Sequence, residues 1–331
     1  MRISICLLCF LIAILVFYSP AYPQGKPKRE TLLEKRVTIL ERDIAELKEE
    51  FYPFTLKGLP EYMSLCDRKI PIFRPDIRER FEREFFLLLD RKGLLSIIIK
   101  RYFKYLDMIN MELEKASLPY DLIYLVVTES YLNPRAISGS NAAGMWQFIK
   151  ETGRAEGLMI DEYVDERYDM MKATRAALNH LKVLHKQFND WLIAMAAYNA
   201  GPGRLRSAIE NQKTKDFFEL YLPEETERYV FRVMAIKEII AERGRYGLDI
   251  PEVELYRPIR LYEVVIETDK EIDSYILAEA MGLPYKAYRD CNIHLKRYKL
   301  PKGRYHLNIP FEKKETFLIR IKDYPGITIV K

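Results

Sequence analysis

The stretch PYDLIYLVVTES, residues 119–130, predicts both the central element of the fold and the reactive group of this chain. It opens on a proline, continues as an almost unbroken apolar run that predicts a buried helix, and delivers one acidic residue, Glu129, at its far end. A carboxyl group presented from such a run is hard to ionise, because apolar surroundings disfavour its charged form. A general acid that works near neutral pH needs that property, so Glu129 is the candidate catalytic residue.

Helical periodicity extends on both sides of this stretch. Residues 70–117 carry two apolar stripes at helical spacing, with Arg91-Lys92-Gly93 as the break between them. Helical patterns return in three later segments: 172–187, 191–199 and 224–244. The region 70–248 is therefore predicted to be one domain that is nearly all α.

The pattern changes after Pro251. Residues 262–266 and 305–310 alternate as strands do, and two short helices are predicted between them, at 272–281 and 284–290. Two further strands are predicted near the C-terminus, at 317–321 and 327–330. The fold class is therefore mainly α, with N-terminal helices and a small α+β unit over 249–331.

The first 21 residues are predicted to be a signal peptide. Met1-Arg2 supplies a charge, residues 3–18 are a nearly continuous apolar run, and small residues follow at 19–21. The run is shorter than the roughly 20 residues of a spanning helix, which favours cleavage, while an uncleaved signal would associate the protein with the membrane. Cys6 and Cys9 do not lie in a lipoprotein setting, so a lipid anchor is not supported. The predicted location is the periplasm or cell envelope.

Residues 22–69 are predicted to form a linker and a short heptad helix. The apolar positions of this helix alternate by four and three over 33–51: Leu33, Val37, Leu40, Ile44, Leu47 and Phe51. The stretch is barely three heptads long. The pattern fits two roles for this helix: packing on its own domain, or forming a weak dimer through a coiled coil.

Charge and composition say little about which partners the protein binds. The net charge of +5 is small against 53 basic and 48 acidic residues in a chain of 331, so it argues only weakly for an anionic partner. The signatures of nucleic-acid-binding domains are absent from the sequence, and nucleic acid is not predicted as a partner.

Cysteines and histidines suggest neither a cofactor nor a metal. Cys66 and Cys291 either form a disulfide or are two separate buried thiols, because spacing alone does not show that they meet. His180 and His185 are five residues apart, which places them on different faces of a helix. No metal motif is found, so no metal and no cofactor are predicted.

Glu129 is predicted to cleave sugars as a single carboxylate. Most glycosidases use two carboxyl groups, yet no acidic residue occurs between Ser130 and Lys150. Four later acidic residues could fold back toward the site: Glu151, Glu156, Asp161 and Asp165. The simpler interpretation is that Glu129 protonates a glycosidic oxygen and then, as a base, activates a hydroxyl group, which can belong to the same sugar.

Four ordered motifs carry a family resemblance. They are Glu129-Ser130, Gly144-Met145-Trp146-Gln147-Phe148, Ala197-Tyr198-Asn199-Ala200-Gly201 and Glu225-Thr226-Glu227-Arg228-Tyr229-Val230. Together they resemble the lytic murein transglycosylases with a goose-lysozyme-like catalytic domain, most closely the membrane-bound D type. Trp146 stands where the D type commonly has tryptophan. The resemblance covers roughly residues 70–245 and implies a lysozyme-like α-helical domain.

The resemblance implies cleavage of the β-1,4 bond between N-acetylmuramic acid and N-acetylglucosamine of peptidoglycan, leaving 1,6-anhydro ends. Glu129 would be the lone acid and later the base. The implied substrate-binding residues are Ser138, Ser140, Gln147, Tyr198, Asn199 and Tyr229. Among these, Ser138 matches a serine that holds the acetamido group, Tyr198 and Asn199 match residues that line the cleft and orient the acid, and Tyr229 matches a tyrosine close to it.

The C-terminal unit resembles a degenerate LysM domain, a peptidoglycan-binding fold. The resemblance lies in the strand order, in Asn292 and in the ending Leu307-Asn308-Ile309-Pro310, while Glu267-Thr268-Asp269-Lys270 replaces the usual opening. Glycan binding and a structural role are both open for this unit. For the whole chain two alternatives stand beside the lyase: a non-catalytic wall-binding or scaffold protein of the same fold, and a hydrolytic muramidase.

Overall fold

The computed structural model describes residues 30–51, 59–60 and 62–330, and the chain divides into two compact units, Met1–Gly58 and Leu59–Lys331. In the first unit helix α1 spans Glu30–Phe51. Its apolar heptad positions Val37, Leu40 and Ile44 are exposed. The dimer through these heptads stays a prediction, and the predicted signal peptide lies outside the described residues.

The second unit contains the predicted helical body and the C-terminal unit. Its strands are β1 Tyr62–Leu65, β2 Arg68–Pro71, β3 Leu261–Thr268, β4 Ile272–Asp273, β5 Lys299–Leu300, β6 Gly303–Pro310 and β7 Ile327–Ile329. Its α-helices are α2 Pro75–Leu89, α3 Lys92–Ala116, α4 Ile123–Ser130, α5 Lys150–Ala155, α6 Met170–Phe188, α7 Trp191–Ala200, α8 Pro202–Gln212, α9 Glu224–Ala241, α10 Tyr275–Ala280, α11 Tyr285–Cys291 and α12 Lys314–Arg320. The predicted fold class, mainly α with a small α+β unit, is confirmed.

Helix α9 is central to the helical body. It packs against α2, α4 and α7, and its buried side chains cover much of its circumference. Helix α4 is equally apolar, with every residue from Ile123 to Thr128 buried. Because α4 and α9 pack against each other, the acidic end of α4 is brought beside the first turns of α9.

The segment before α2 is a β-hairpin, whereas the sequence predicts only a linker and a short heptad helix over 22–69. Strands β1 and β2 pair antiparallel, and Leu65 and Ile70 are fully buried. The turn residues Cys66 and Asp67 have φ angles of 48° and 63°, the left-handed pair of a two-residue hairpin. Sequence patterning missed this hairpin because its strands are only four residues long.

The C-terminal unit has the predicted β-α-α-β order. Strands β3 and β6 pair antiparallel along their whole length, β7 joins the other edge of β3, and α10 and α11 lie between β3 and β6 in the chain. The predicted strand at 317–321 is wrong, because these residues belong to α12 and the turn that follows it. Phe317 and Ile321, four residues apart, are buried while Ile319 is exposed, which is the spacing of a helix.

The two cysteines in the described part of the chain, Cys66 and Cys291, are separate thiols. Cys66 is buried in the hairpin turn and Cys291 is partly exposed at the end of α11, and neither forms a disulfide. Burial raises the pKa of the Cys291 thiol to about 11. Of the two interpretations that the sequence leaves open, unpaired thiols are therefore the correct one.

A buried ion network fastens the C-terminal unit to the helical body. Asp169 caps α6 and is fully buried. His306 of β6 contacts the Asp169 carboxylate through Nδ1 at 2.8 Å and Glu263 of β3 through Nε2 at 3.0 Å. Arg175 of α6 also pairs with Glu263. Both ring nitrogens of His306 therefore face carboxylates, as in an imidazolium ion.

Among the helices that the structure describes, none combines the length and apolar character needed to cross a membrane.

Removing the His306 ring should weaken the fold in a pH-dependent way. Burial opposes its protonation, but the hydrogen bonds to Asp169 and Glu263 outweigh burial and raise the pKa of His306 to about 9. A raised histidine pKa stabilises the fold below about pH 6.5 and loses that effect as the pH rises through about 9. We expect His306→Ala to lower the free energy of unfolding by about 3 kcal/mol at pH 6 and by much less at pH 10.

Urea denaturation across this pH range measures the difference. Lys286→Ala, which breaks an exposed pair with Asp290, is the control and should cost less than about 0.5 kcal/mol. An equal loss for His306→Ala at pH 6 and pH 10 would show that the ring contributes packing and no charge.

Candidate active site

All of the residues that the sequence singles out lie in one cleft of about 620 Å³ in the helical body. They are Glu129, Ser138, Ser140, Gln147, Tyr198, Asn199 and Tyr229. They come from α4, α7, α9 and the loop between α4 and α5. Four segments far apart in the chain therefore meet around one acid.

Glu129 lies one residue from the end of α4, where the chain turns through a left-handed residue, Tyr131. Tyr229 of α9 donates a hydrogen bond of 2.5 Å from its hydroxyl to Glu129 Oε1. Burial raises the pKa of Glu129 to about 7, against the opposing effects of the Tyr229 hydrogen bond and the positive charge of Arg232. The site thus holds a carboxylic acid that can both give and take a proton near neutral pH.

The loop between α4 and α5 is shaped by Gly144. Its φ is +79°, and a Cβ atom there would lie 1.8 Å from the carbonyl oxygen of Arg167, so no other residue fits. Gln147 also has a positive φ and donates from Nε2 to the Gly144 carbonyl at 2.7 Å. Its carboxamide is thereby fixed at the wall of the cleft.

Arg167 supports the same loop from behind. Its buried guanidinium donates to the carbonyls of Asn141 at 2.8 Å and Phe148 at 3.0 Å and is itself held by Asp165. Trp146 is fully buried and donates from Nε1 to Thr174 at 2.8 Å. Backbone carbonyls of an irregular loop are thus satisfied by side chains, which keeps the loop rigid.

Two serines line the loop side of the cleft. The hydroxyls of Ser138 and Ser140 lie 2.9 Å apart, and Ser138 Oγ accepts a hydrogen bond from the amide of Ala142 at 3.0 Å. Ser140 is exposed to the cleft. The pair offers hydroxyl groups whose positions are set by the backbone.

The end of α7 also lines the cleft. Tyr198 donates from its hydroxyl to the carbonyl of Trp146 at 2.7 Å, and Asn199 lines the cleft with its side chain exposed. Tyr198 therefore joins α7 to the loop that carries Gln147. The two tyrosine hydroxyls thus have different partners: that of Tyr198 bonds the loop, and that of Tyr229 bonds Glu129.

Five polar residues that the sequence does not single out also line the cleft: Thr128, Thr152, His180, Glu225 and Arg232. Glu225 is a second carboxylate, 63% exposed and paired with Arg232 at 3.4 Å. Its position one turn before Tyr229 on α9 was a signal that could have found it. The acidic residues considered as partners from the sequence do not line the cleft: Glu151, Glu156, Asp161 and Asp165.

Outside the cleft, potential metal ligands meet where the sequence shows no motif. Ligand atoms of Asp169, His294 and His306 lie within 4.8 Å of one another, the one such group among the described residues. His306 has both nitrogens on carboxylates, and His294 Nε2 lies 2.8 Å from the His306 carbonyl. A metal ligand must offer an unprotonated nitrogen, so these contacts fit the ion network better than a metal.

Residues 107–221 match the family model described as the Transglycosylase SLT domain. The chain carries a transglycosylase SLT domain. The SLT match contains Glu129 and the other predicted site residues except Tyr229, which follows it on α9 with Glu225 and Arg232. The predicted resemblance to lytic transglycosylases is confirmed for this domain.

Similar proteins agree with the SLT assignment. The chain is 39% identical over 176 residues to membrane-bound lytic murein transglycosylase D of Escherichia coli K12, which is 52% of this chain and 39% of that protein. It is 43% identical over 89 residues to a peptidoglycan transglycosylase of Escherichia phage T7, covering 26% of this chain and 7% of that protein. The chain thus spans about two fifths of the length of the first of these relatives.

Solved structures give a more distant match. The 70 kDa soluble lytic transglycosylase of Escherichia coli aligns with 46% of this chain and 27% of its own length, at 24% identity and a TM-score of 0.37. The lytic transglycosylase Slt of Pseudomonas aeruginosa aligns with 45% of this chain and 26% of its own, at 25% identity and a TM-score of 0.35.

Neutralising Glu129 should stabilise the fold. A carboxyl whose pKa is raised from 4.5 to about 7 makes the native state less stable as the pH rises through that window, because the native state holds the proton longer than the unfolded chain does. We expect Glu129→Gln to raise the free energy of unfolding at pH 8 by up to about 3 kcal/mol and to change it little below pH 4.5.

Denaturation at pH 4 and pH 8 provides the measurement, with Glu151→Gln, on the exposed first turn of α5, as the control. A Glu129→Gln protein no more stable than the wild type at pH 8 would argue against a destabilised carboxylate.

Proposed function

We propose that this protein is a peptidoglycan lytic transglycosylase that cleaves the β-1,4 bond between N-acetylmuramic acid and N-acetylglucosamine. The observation that carries the proposal is one carboxyl group, Glu129, with its pKa raised to about 7 at the floor of a polar cleft in an SLT domain. Such a group is half protonated near neutral pH, as an acid that later becomes a base must be.

In the first step Glu129 gives its proton to the glycosidic oxygen as the bond from that oxygen to C1 of the muramic acid breaks. The resulting carboxylate then takes the proton of the muramic acid C6 hydroxyl, whose oxygen forms the new bond to C1. Glu129 is thereby protonated again, and the product carries a 1,6-anhydro ring. The Tyr229 hydroxyl, 2.5 Å from Oε1, stabilises the carboxylate between the two steps.

The remaining predicted residues are proposed to bind the glycan. Ser138 and Ser140 offer paired hydroxyls to an acetamido group, and Gln147 offers a carboxamide already fixed by Gly144. Asn199 faces the cleft next to Tyr198. Hydroxyl and amide groups of this kind suit a neutral sugar chain, whose recognition depends on hydrogen bonds.

The setting of the enzyme is proposed from the sequence. Export through residues 1–21 to the periplasm or cell envelope would bring the cleft to its polymer. The C-terminal unit, degenerate as a LysM domain, is proposed to brace the helical body. Its Asn292 is fully buried and bonds the backbone of Asn308, and the ion network of His306 joins it to α6.

Digestion of purified peptidoglycan tests the proposal. We expect the mature protein to release muropeptides with 1,6-anhydro ends, visible by mass spectrometry as products one water lighter than those of a muramidase. Glu129→Gln should reduce their release by at least about a thousandfold, because the variant cannot transfer the proton. Products that do not depend on Glu129 would show that it is not the catalytic acid, and no products from the folded wild type would instead support a non-catalytic wall-binding protein.

One observation favours hydrolysis as an alternative function: Glu225 is a second carboxylate that lines the cleft. If it served as a base for water, Glu225→Gln would abolish turnover and the wild-type products would carry reducing ends. Its 63% exposure and its pairing with Arg232 favour a role at the rim. We therefore expect Glu225→Gln to keep anhydro products at a rate within about tenfold of the wild type.

A further inference from the structure

We propose that Arg232 is a positioning residue for the reaction, which acts on the acid through its charge, and that Glu84 of helix α2 holds it in place. This inference rests on the proposed function. It concerns a residue that lies beyond the matched SLT segment, since that segment ends at residue 221.

Helix α9 presents three polar residues to the cleft at helical spacing. Glu225, Tyr229 and Arg232 follow one another by four and three residues, so they share one face of α9, and all three line the cleft. The middle residue donates to Glu129 at 2.5 Å. Arg232 therefore lies one turn beyond the tyrosine that touches the acid.

The guanidinium of Arg232 is held from two sides. Glu84, whose side chain is only 3% exposed, accepts a hydrogen bond from Arg232 Nε at 3.1 Å, and Glu225 lies 3.4 Å from Arg232 Nη1. Glu84 also accepts from Arg228 Nε at 2.6 Å. A buried carboxylate between two arginines is a firm anchor, because leaving any of these charges unpaired is costly.

The charges around Glu129 act in opposite directions. The groups that affect its carboxyl are the Tyr229 hydroxyl and Arg232, which favour the ionised form, and Glu225, which disfavours it, while Tyr198 is partly buried beside it. Arg232 thus offsets burial by stabilising the carboxylate that exists after the proton has left. By pairing with Glu225, it also keeps that second negative charge at the rim.

Arg228 provides a matched control. It pairs with the same Glu84 and stands on the same helix, but it is not among the residues that line the cleft. Replacing Arg228 by methionine removes one partner of Glu84 and leaves Arg232 paired. Replacing Arg232 by methionine removes the other partner together with the charge in the cleft.

The first experiment is an NMR titration of protein labelled with ¹³C at the glutamate carboxyl carbons, with the Glu129 signal assigned by its absence in Glu129→Gln. We expect Arg232→Met to raise the pKa of Glu129 by about 0.5 to 1 unit, since a nearby positive charge is lost. Arg228→Met should shift it by less than about 0.2 unit. Arg232→Lys keeps the charge, so the pKa of Glu129 in this variant should move from the wild-type value by no more than half as much as in Arg232→Met. This variant also serves if the methionine variant does not fold.

The second experiment is the pH profile of kcat/KM on peptidoglycan for the same proteins. The alkaline limb, where the acid loses its proton, should move upward with Arg232→Met and stay in place with Arg228→Met. A rise in KM for Arg232→Met with no movement of the limb and no shift of the Glu129 titration would overturn the proposal and make Arg232 a substrate contact. Equal shifts for the two methionine variants would overturn it in favour of a structural effect through Glu84.

The experiments distinguish a wrong function from a wrong role for Arg232. If the folded wild type has no turnover, the proposed function is wrong, while the titration still decides whether Arg232 sets the proton affinity of Glu129. If turnover is present and the titration does not respond to Arg232, the proposed function stands and the role of Arg232 is wrong.

Discussion

The burial of one carboxyl group is the constraint around which this structure is built. Glu129 lies one residue from the end of a helix whose residues from Ile123 to Thr128 are all buried, so its carboxyl lies where ionisation is disfavoured. The tyrosine hydroxyl of α9 and the charge on Arg232 limit that penalty without removing it. Such a group lowers the stability of the fold at neutral pH, but it keeps a proton that can be transferred at that pH.

Holding the groups around this acid requires support from outside the cleft. Gly144 can approach the Arg167 carbonyl only because it has no side chain, and the Arg167 guanidinium ties together the loop that carries Gln147. Arg167 in turn depends on Asp165, whose amide donates to the carbonyl of His294 in the C-terminal unit. The small C-terminal unit thus stabilises one wall of the cleft, a role that its sequence alone does not reveal.

Much of this could be predicted from the sequence. The long helices follow from their apolar periodicity, and the candidate site residues other than Ser138 and Ser140 lie in four motifs, because both signals are local. The residues that the sequence does not single out are of a different kind. Glu84, Glu225 and Arg232 are ordinary charged residues on helices, and their meeting depends on how α2 packs against α9. His306 carries no signal in the sequence for the same reason, since its two carboxylate partners lie far from it in the chain.

The protonation state of Glu129 is measured by an infrared difference spectrum between the wild type and Glu129→Gln, followed as a function of pH. The band of a protonated carboxyl group that is present only in the wild type should disappear with a midpoint near pH 7. A midpoint near 4.5, the ordinary value for a glutamate, would contradict the account, because Glu129 would then hold no proton to donate at neutral pH.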